Sequence, residues 1–104
     1  MDRVIRDGKV AVIYSPNYGS GWYSWNDMYD DQSMLFDPGL VGLIEAGDKD
    51  KIQTYITLKW SDRQNPGSKH LEIEWVPVGE RFRIDEYDGS ESVILASKEK
   101  WITA

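Results

Sequence analysis

Two groups of acidic residues have the side chains and spacing that could support catalysis. They are Asp27, Asp30 and Asp31 in one group, and Asp85, Glu86, Asp88 and Glu91 in the other. Paired carboxylates can hydrolyse glycosidic bonds or bind a hard cation, but both uses depend on the distance between the carboxylates. A carboxylate- or metal-dependent hydrolase is therefore one alternative for this chain, and it requires the two groups to meet in one cleft.

A structural role explains the same carboxylates more simply. Asp88 precedes Gly89, and Asp-Gly is a frequent dipeptide in two-residue hairpin turns, while Asp30 and Asp31 suit a solvated surface. The sequence has one histidine, His70, and no cysteine, so neither a catalytic triad nor a histidine metal cluster can be assembled. It also lacks a nucleophile elbow and a glycine-rich phosphate loop. We predict that the protein is not an enzyme and has no catalytic residue, metal ligand or cofactor.

The stretch SPNYGSGWYSWN, residues 15–26, has neither helical nor strand periodicity and is called the aromatic loop below. Indole rings stack on nucleobases and sugars and are enriched at protein interfaces, and glycines allow a close approach of the backbone. The alternative is a loop that folds back to plug the core. We predict that a ligand or partner binds through the loop and the last hairpin, at Tyr18, Trp22, Tyr23, Trp25, Asp85 and Tyr87.

Composition limits the class of partner. The chain has 104 residues and a formal net charge of -6, which fits a single domain, residues 1–104, that nucleic-acid phosphates and anionic lipids repel. No apolar run approaches the length of a membrane span, and the first residues lack the apolar core of a signal peptide. We expect a soluble, cytoplasmic protein with no membrane or nucleic-acid partner, whose partner is a protein or a small nucleotide-like ligand; a homo-oligomer is compatible with the sequence.

The first half of the chain contains a hairpin and a helix that would flank the aromatic loop. Asp7-Gly8 separates two short apolar runs and predicts a β-hairpin. Asp37 and Pro38 suit the first positions of a helix that ends at Gly47, with Phe36 packed on Val41. The segment 48–60 fits a strand or a helix, with Asp50 and Gln53 at capping-box spacing, and we favour the helix.

The second half contains strands. Residues 70–78 alternate, with Leu71, Ile73 and Trp75 facing inward and Glu72 and Glu74 facing water. A hairpin around Asp88-Gly89 follows, with Phe82 and Ile84 inward, and a last short strand is expected around Trp101. Trp60, Trp75 and Trp101 would lie in the core. These elements predict an α+β fold, a mainly antiparallel sheet from the N-terminal hairpin and the C-terminal strands, with one or two helices at about 37–60 on one face.

Three stretches together resemble a group of small proteins encoded by tailed bacteriophages and prophages. They are YSPNYGSGWYSWN, LFDPGLVGLIEAG and LEIEWVPVGERFRIDEYDGSESV, and the match covers roughly residues 9–96. The group brings no catalytic or ligand residues with it. The resemblance implies a phage accessory protein that acts in the cytoplasm of an infected bacterium and blocks or sequesters a host defence or regulatory protein or a small nucleotide signal. A phage structural or assembly protein is a further alternative.

Overall fold

The structure is a computed structural model that describes residues 2–64 and 70–104. The strands are β1 (Ile5–Arg6), β2 (Lys9–Tyr14), β3 (Glu72–Pro77), β4 (Phe82–Tyr87) and β5 (Ser90–Leu95). The helices are α1 (Ser33–Phe36), α2 (Pro38–Ala46) and α3 (Lys49–Lys59), and shorter 3-10 helices cover Ser24–Tyr29 and Ala96–Lys98. Antiparallel strands from both ends of the chain, with the helices between them, confirm the predicted α+β class.

The strands form two antiparallel sheets, whereas the sequence predicted one. The first sheet has the order β1-β2-β3 and pairs Ile13 with Ile73, and the second is the β4-β5 hairpin. Asp7-Gly8 makes the predicted first turn, with φ angles of 51° and 74°. The backbone N–H of Glu91 donates to the carbonyl of Ser15 at 2.8 Å, which joins the second sheet to the chain just after β2.

Both faces of the first sheet are covered, which explains why β2 is an almost continuous apolar run, KVAVIY. Ala11 and Ile13 face one cluster of buried residues, which also contains Trp22, Met34, Leu40, Val41, Ile52, Ile56, Trp60 and Leu71. Val10 and Val12 face the other cluster, with Leu35, Phe36 and Val76 and, partly buried at its edge, Phe82, Ile84, Val93 and Leu95. The first cluster involves α2 and α3, and the second involves α1 and the hairpin.

The helix predicted after residue 37 forms as expected. The Asp37 carboxylate accepts a hydrogen bond from the Leu40 N–H at 2.9 Å, Pro38 occupies the first turn, and Gly47 ends the helix with a φ of 73°. The expected contact between Phe36 and Val41 is wrong, because the two side chains lie in different clusters.

The ambiguous segment after residue 48 is a helix, as favoured. Its cap is Asp48, which accepts from the Lys51 N–H at 3.1 Å, and the predicted capping by Asp50 is therefore displaced by two residues. Ile52 and Ile56 are buried on one side of α3 because residues four apart share a helix face.

The predicted strand around Trp101 is wrong. Residues 99–104 form neither helix nor strand, and Trp101 and Ile102 are 84% and 97% exposed. Adjacent residues of an extended chain point to opposite sides, so these two could not both face one core. Trp60 is a core residue as predicted, and Trp75 is half-buried beneath the Arg6 guanidinium, 5.3 Å from the ring centroid.

The alternation predicted in β3 is confirmed: Leu71 is buried, Ile73 is half-buried and packs on the first cluster, and Glu72 and Glu74 are exposed. The stretch SDRQNPGS, residues 61–68, has the Asn-Pro-Gly sequence that predicts a loop, and its second half lies outside the described residues. Within the described part of the chain, no helix has the length and apolar character that crossing a bilayer requires.

Candidate functional site

The aromatic loop is held in place by a buried carboxylate, that of Glu91, whose side chain is 2% exposed. Its Oε1 atom accepts from the Ser15 N–H at 2.9 Å. Its Oε2 atom accepts from the Trp22 N–H at 3.0 Å, the Ser24 N–H at 2.8 Å and the Ser24 hydroxyl at 2.6 Å. A carboxylate has about four acceptor positions, so these bonds use its whole capacity. Glu91 is therefore one anchor of the loop on the sheet side, beside the Ser90 hydroxyl, which donates to the Pro16 carbonyl at 2.6 Å, and the Asp88 carbonyl, which accepts from the Gly19 N–H.

Glu91 was predicted only as a member of an acidic group, and its structural role was missed. The signal was present in the sequence, because residues two positions apart in a strand point to the same face. Glu91 therefore points to the same side of β5 as Val93 and Leu95, which face the second cluster. A charged residue at an inward position of a strand requires buried partners. What the sequence could not supply was the identity of those partners, which lie more than 65 positions away.

Trp22 is a core residue, which corrects its prediction as a binding residue. Its side chain is 0% exposed, and its indole N–H donates to the Met34 carbonyl at 2.8 Å. Its ring meets that of Trp60 edge to face, with centroids 5.5 Å apart. The alternative that the sequence left open, a loop that plugs the core, therefore holds for this indole.

Trp25 is half-buried and lies between two glycines. A Cβ atom on Gly21 would overlap the indole, and one on Gly89 would lie 2.8 Å from the indole Cζ2 atom. The indole N–H of Trp25 donates to a Glu86 carboxylate oxygen at 3.3 Å. Gly21 and Gly89 thus make room for a tryptophan of the protein itself, whereas the sequence suggested that glycines in the loop make room for a ligand.

Three other predicted binding residues lie toward the end of the β4-β5 hairpin. Tyr18 and Tyr87 are 70% and 76% exposed, and their rings meet edge to face with centroids 6.1 Å apart. Asp85 lies on the same face of β4 as Tyr87 because the two are separated by two positions. The Asp85 carboxylate is 3.4 Å from the Arg83 guanidinium. The structure therefore brings the two tyrosines together and turns Asp85 toward an arginine.

The two acidic groups are used mainly as local structural contacts. The Asp31 carboxylate accepts from the Ser33 hydroxyl at 2.5 Å and from Arg63 at 3.1 Å, and these contacts hold the pKa of Asp31 below its usual value despite partial burial. Glu86 accepts from the Gly89 N–H at 2.7 Å. Across residues 2–64 and 70–104, no three His, Cys, Asp or Glu side chains are grouped so that they could hold a metal ion.

An open depression of about 670 Å³ lies between the aromatic loop, α1 and β4, and we call it the β4 groove. Its lining residues are Arg3, Tyr23, Ser24, Asp27, Gln32, Leu35, Phe36, Glu80, Arg81, Phe82, Arg83 and Ile84. Tyr23 is the one predicted binding residue among them. The arginines and Phe36 were missed because they come from three separate segments that only the fold brings together.

Positive charge is concentrated in the β4 groove although the chain as a whole is acidic. Arg83 is paired with Glu99, at 2.8 Å, and with Asp85. Arg3 and Arg81 have no ion pair among the residues that the structure describes, and the Arg3 guanidinium lies 4.2 Å from the Phe36 ring centroid. Two guanidiniums are thus available to an anion in the groove.

The other polar side chains of the groove include a phenol and two carboxylates, those of Asp27 and Glu80. Burial raises the pKa of the Tyr23 phenol, and the nearby carboxylates Asp30, Asp27 and Asp31 raise it further, so the hydroxyl stays protonated and can donate. The Glu80 carboxylate accepts from the Ser97 N–H at 2.9 Å, which holds its pKa below the usual value. The groove therefore offers free cations, aromatic surface and a phenol donor in one place.

Comparisons of the chain with protein-family models, curated proteins and solved structures gave no significant match. The resemblance to phage-encoded proteins therefore stays a prediction from the sequence.

Proposed function

We propose that this protein acts by non-enzymatic binding and sequesters a small nucleotide-like ligand in the β4 groove. One observation carries the proposal: two guanidiniums that form no ion pair among the described residues, those of Arg3 and Arg81, line the same depression as the half-buried rings of Tyr23 and Phe82. A nucleotide needs these two features together, a cation for the phosphate and a flat apolar surface for the base.

The chemistry of guanidiniums and aromatic rings suits the phosphate and the base of a nucleotide. The planar guanidinium donates paired hydrogen bonds to phosphate oxygens and is weakly hydrated, so it gives up water at a small cost. Aromatic rings stack on nucleobases without regard to sequence, at about 1 to 3 kcal/mol per base. The groove volume of about 670 Å³ also falls within the usual range for small-molecule sites.

The charge distribution favours a small ligand over a polymer. The chain carries a formal net charge of -6, so a long nucleic acid would meet repulsion over most of the surface. A mononucleotide or a cyclic dinucleotide would be exposed mainly to the local field of the groove, where Arg3, Arg81 and Arg83 outnumber Asp27 and Glu80. The resemblance to phage proteins supports a biological role in which the protein sequesters a nucleotide that the host uses as a signal.

A host protein is the second partner class predicted, and one observation favours it. Tyr18 and Tyr87 form an exposed aromatic pair beside the hairpin turn. Exposed tyrosines are enriched at protein interfaces because they combine apolar area with a hydrogen-bonding tip. Loss of host-protein binding after replacement of both tyrosines by serine, with the β4 groove intact, would favour this candidate over the nucleotide.

The test is a calorimetric titration of the purified protein with AMP, GMP, cyclic di-AMP and cyclic di-GMP, and with adenosine and inorganic phosphate as partial ligands. We expect at least one nucleotide to bind more tightly than either partial ligand and to be recovered chemically unchanged. Arg81→Ala should weaken that binding about tenfold or more, the scale of one charge-assisted hydrogen bond. Lys49→Ala, which removes an exposed cation at the start of α3, is the matched control and should bind as the wild type does.

Two outcomes would contradict the proposal. The first is that none of the four nucleotides binds at millimolar concentration. The second is that Arg81→Ala and Lys49→Ala bind the nucleotide equally, because nucleotide binding would then lie outside the β4 groove. Conversion of the bound nucleotide would replace the non-enzymatic proposal with the hydrolase alternative.

A further inference from the structure

We infer that Glu91 is the positioning residue of the β4 groove. Its buried carboxylate fixes the position of residues 22–24 of the aromatic loop, which place Tyr23 in the groove and are called the loop wall here. The inference rests on the proposed function for its ligand, but it concerns a residue that does not line the groove. Glu91 would act through Tyr23 and Ser24, which do.

The loop wall is fixed from beneath by a single oxygen atom. Glu91 Oε2 accepts from the N–H of Trp22 at 3.0 Å, from the N–H of Ser24 at 2.8 Å and from the Ser24 hydroxyl at 2.6 Å. Tyr23 stands between these two anchored residues, so its backbone position is determined on both sides. The indole of Trp22 is locked in the core by the Met34 carbonyl, which leaves Tyr23 as the ring that faces the groove.

The same residue also connects this wall to the opposite one. Glu91 pairs with Glu86 across the hairpin, and β4 supplies Phe82 and Ile84 to the groove. Its Oε1 atom and its own N–H both bond to the Ser15 backbone, at 2.9 and 2.8 Å. Together with the bonds from the Gly19 N–H to the Asp88 carbonyl and from the Ser90 hydroxyl to the Pro16 carbonyl, Glu91 therefore holds the aromatic loop against the hairpin that carries β4.

An amide at this position cannot reproduce the contacts. Every partner of the Glu91 carboxylate is a donor, and the side chain of glutamine has one acceptor oxygen and one donor nitrogen. If the amide oxygen keeps the bonds to Trp22 and Ser24, the amide nitrogen must face the N–H of Ser15. Glu91→Gln should therefore loosen the loop while it preserves the size of the side chain.

The experiment compares two probes on Glu91→Gln and on the control Glu74→Gln, which makes the same change on an exposed position of β3. AMP should contact the arginines through its phosphate and the Tyr23 ring through its base, whereas pyrophosphate should contact the arginines alone. We expect Glu91→Gln to weaken AMP binding about tenfold, the scale of a lost base–aromatic stack, and to leave pyrophosphate binding within about twofold. A purely structural role would lower both affinities together, and that result would overturn the inference.

Amide hydrogen exchange tests the positioning role without any ligand. In Glu91→Gln, the amides of Ser15, Trp22 and Ser24 should exchange faster than in the wild type, while those of Val12 and Ile13 in β2 stay protected. Unchanged exchange at the three loop amides would overturn the inference. A wild-type protein that binds none of AMP, GMP, cyclic di-AMP and cyclic di-GMP would refute the proposed function, and this exchange measurement would still decide whether Glu91 holds the loop.

A milder variant covers the case in which Glu91→Gln does not fold. Ser24→Ala removes one of the four hydrogen bonds and keeps the carboxylate and the three backbone donors. It should weaken AMP by a smaller factor than Glu91→Gln and leave pyrophosphate unchanged. Equal AMP affinity in Ser24→Ala and the wild type, together with unchanged exchange at Trp22, would count against the inference.

Discussion

Glu91 and Trp22 are 69 positions apart in the chain, and an oxygen of the Glu91 carboxylate accepts a hydrogen bond from the Trp22 N–H at 3.0 Å. The bond joins the last strand to the aromatic loop at the point where the Trp22 indole enters the core. Hydrogen bonds to a buried carboxylate are stronger than neutral ones, so the loop is part of the folded structure. The surface of the loop that we propose for binding is consequently the part that remains outside, Tyr23 and the β4 groove.

The two tryptophans of the aromatic loop should differ in their contribution to stability. Trp22→Ala removes a fully buried indole and its hydrogen bond to Met34, and we expect a loss of about 3 to 5 kcal/mol in the free energy of unfolding. Trp25→Ala removes a half-buried ring and should cost under about 2 kcal/mol. Urea denaturation of both variants measures the difference, and equal losses would mean that the burial of Trp22 is misassigned.

The two Asp-Gly turns provide a matched pair of glycine substitutions. Gly8 and Gly89 have φ angles of 74° and 85°, so alanine is strained at both, by about 1 to 2 kcal/mol. A Cβ on Gly8 would meet nothing within 4 Å, whereas one on Gly89 would lie 2.6 Å from the backbone nitrogen of Ser20. We expect Gly89→Ala to destabilise the protein by about 1 to 3 kcal/mol more than Gly8→Ala, the usual cost of overpacking.

Thermal unfolding measures both variants. If they lose the same stability, the aromatic loop does not lie against the hairpin turn, and the contact of Gly89 with the loop would be excluded.

Asp37 should make stability depend on pH on the acidic side. Burial alone would raise the pKa of its carboxyl, but bonds from Lys59, from the Tyr55 hydroxyl and from the Leu40 N–H outweigh burial and lower it. The folded state then binds this proton less well than the unfolded state, so the stabilisation is complete above the ordinary pKa of about 3.9 and is lost as the pH falls through the lower folded-state value.

Asp37→Asn removes this titration. We expect the variant to be less stable than the wild type at neutral pH and to show a flatter decline of the melting temperature between about pH 5 and pH 2. Glu74→Asn, on an exposed position, should keep the slope of the wild type. A decline in Asp37→Asn as steep as that of the wild type would assign the acid sensitivity to other carboxylates, such as Asp31.

The exposed tyrosine pair should contribute little to folding. The rings of Tyr18 and Tyr87 meet edge to face, but both side chains are largely in water. We expect Tyr18→Ser and Tyr87→Ser each to change stability by under about 1 kcal/mol, with a coupling energy at or below about 0.5 kcal/mol in a double-mutant cycle. Nucleotide affinity should be unchanged in both variants, and a tenfold loss would extend the binding surface from the β4 groove to the hairpin turn.

Local signals in the sequence predicted most of the secondary structure. Asp7-Gly8 and Asp88-Gly89 predicted the two hairpins because this dipeptide tolerates the positive φ angles of a two-residue turn. Asp37-Pro38 predicted the start of α2. Each depends on neighbours within a few positions of the chain. The strand predicted at Trp101 is wrong because a short apolar pair becomes a strand only if another strand lies beside it. Residues near Trp101 in the sequence do not determine whether such a strand is present.

The sequence by itself determined the α+β class, the two Asp-Gly turns, the start and end of α2 and the presence of an aromatic loop, since periodicity and capping act over one or two turns of the chain. The tertiary structure alone decided that Trp22 is buried, that Glu91 anchors the loop, and that Arg3 and Arg81 face the same groove as Tyr23. These are relations between segments that are distant in the chain. Side-chain burial and charge pairing depend on which surfaces meet in space, and that is fixed only when the sheets and helices pack together.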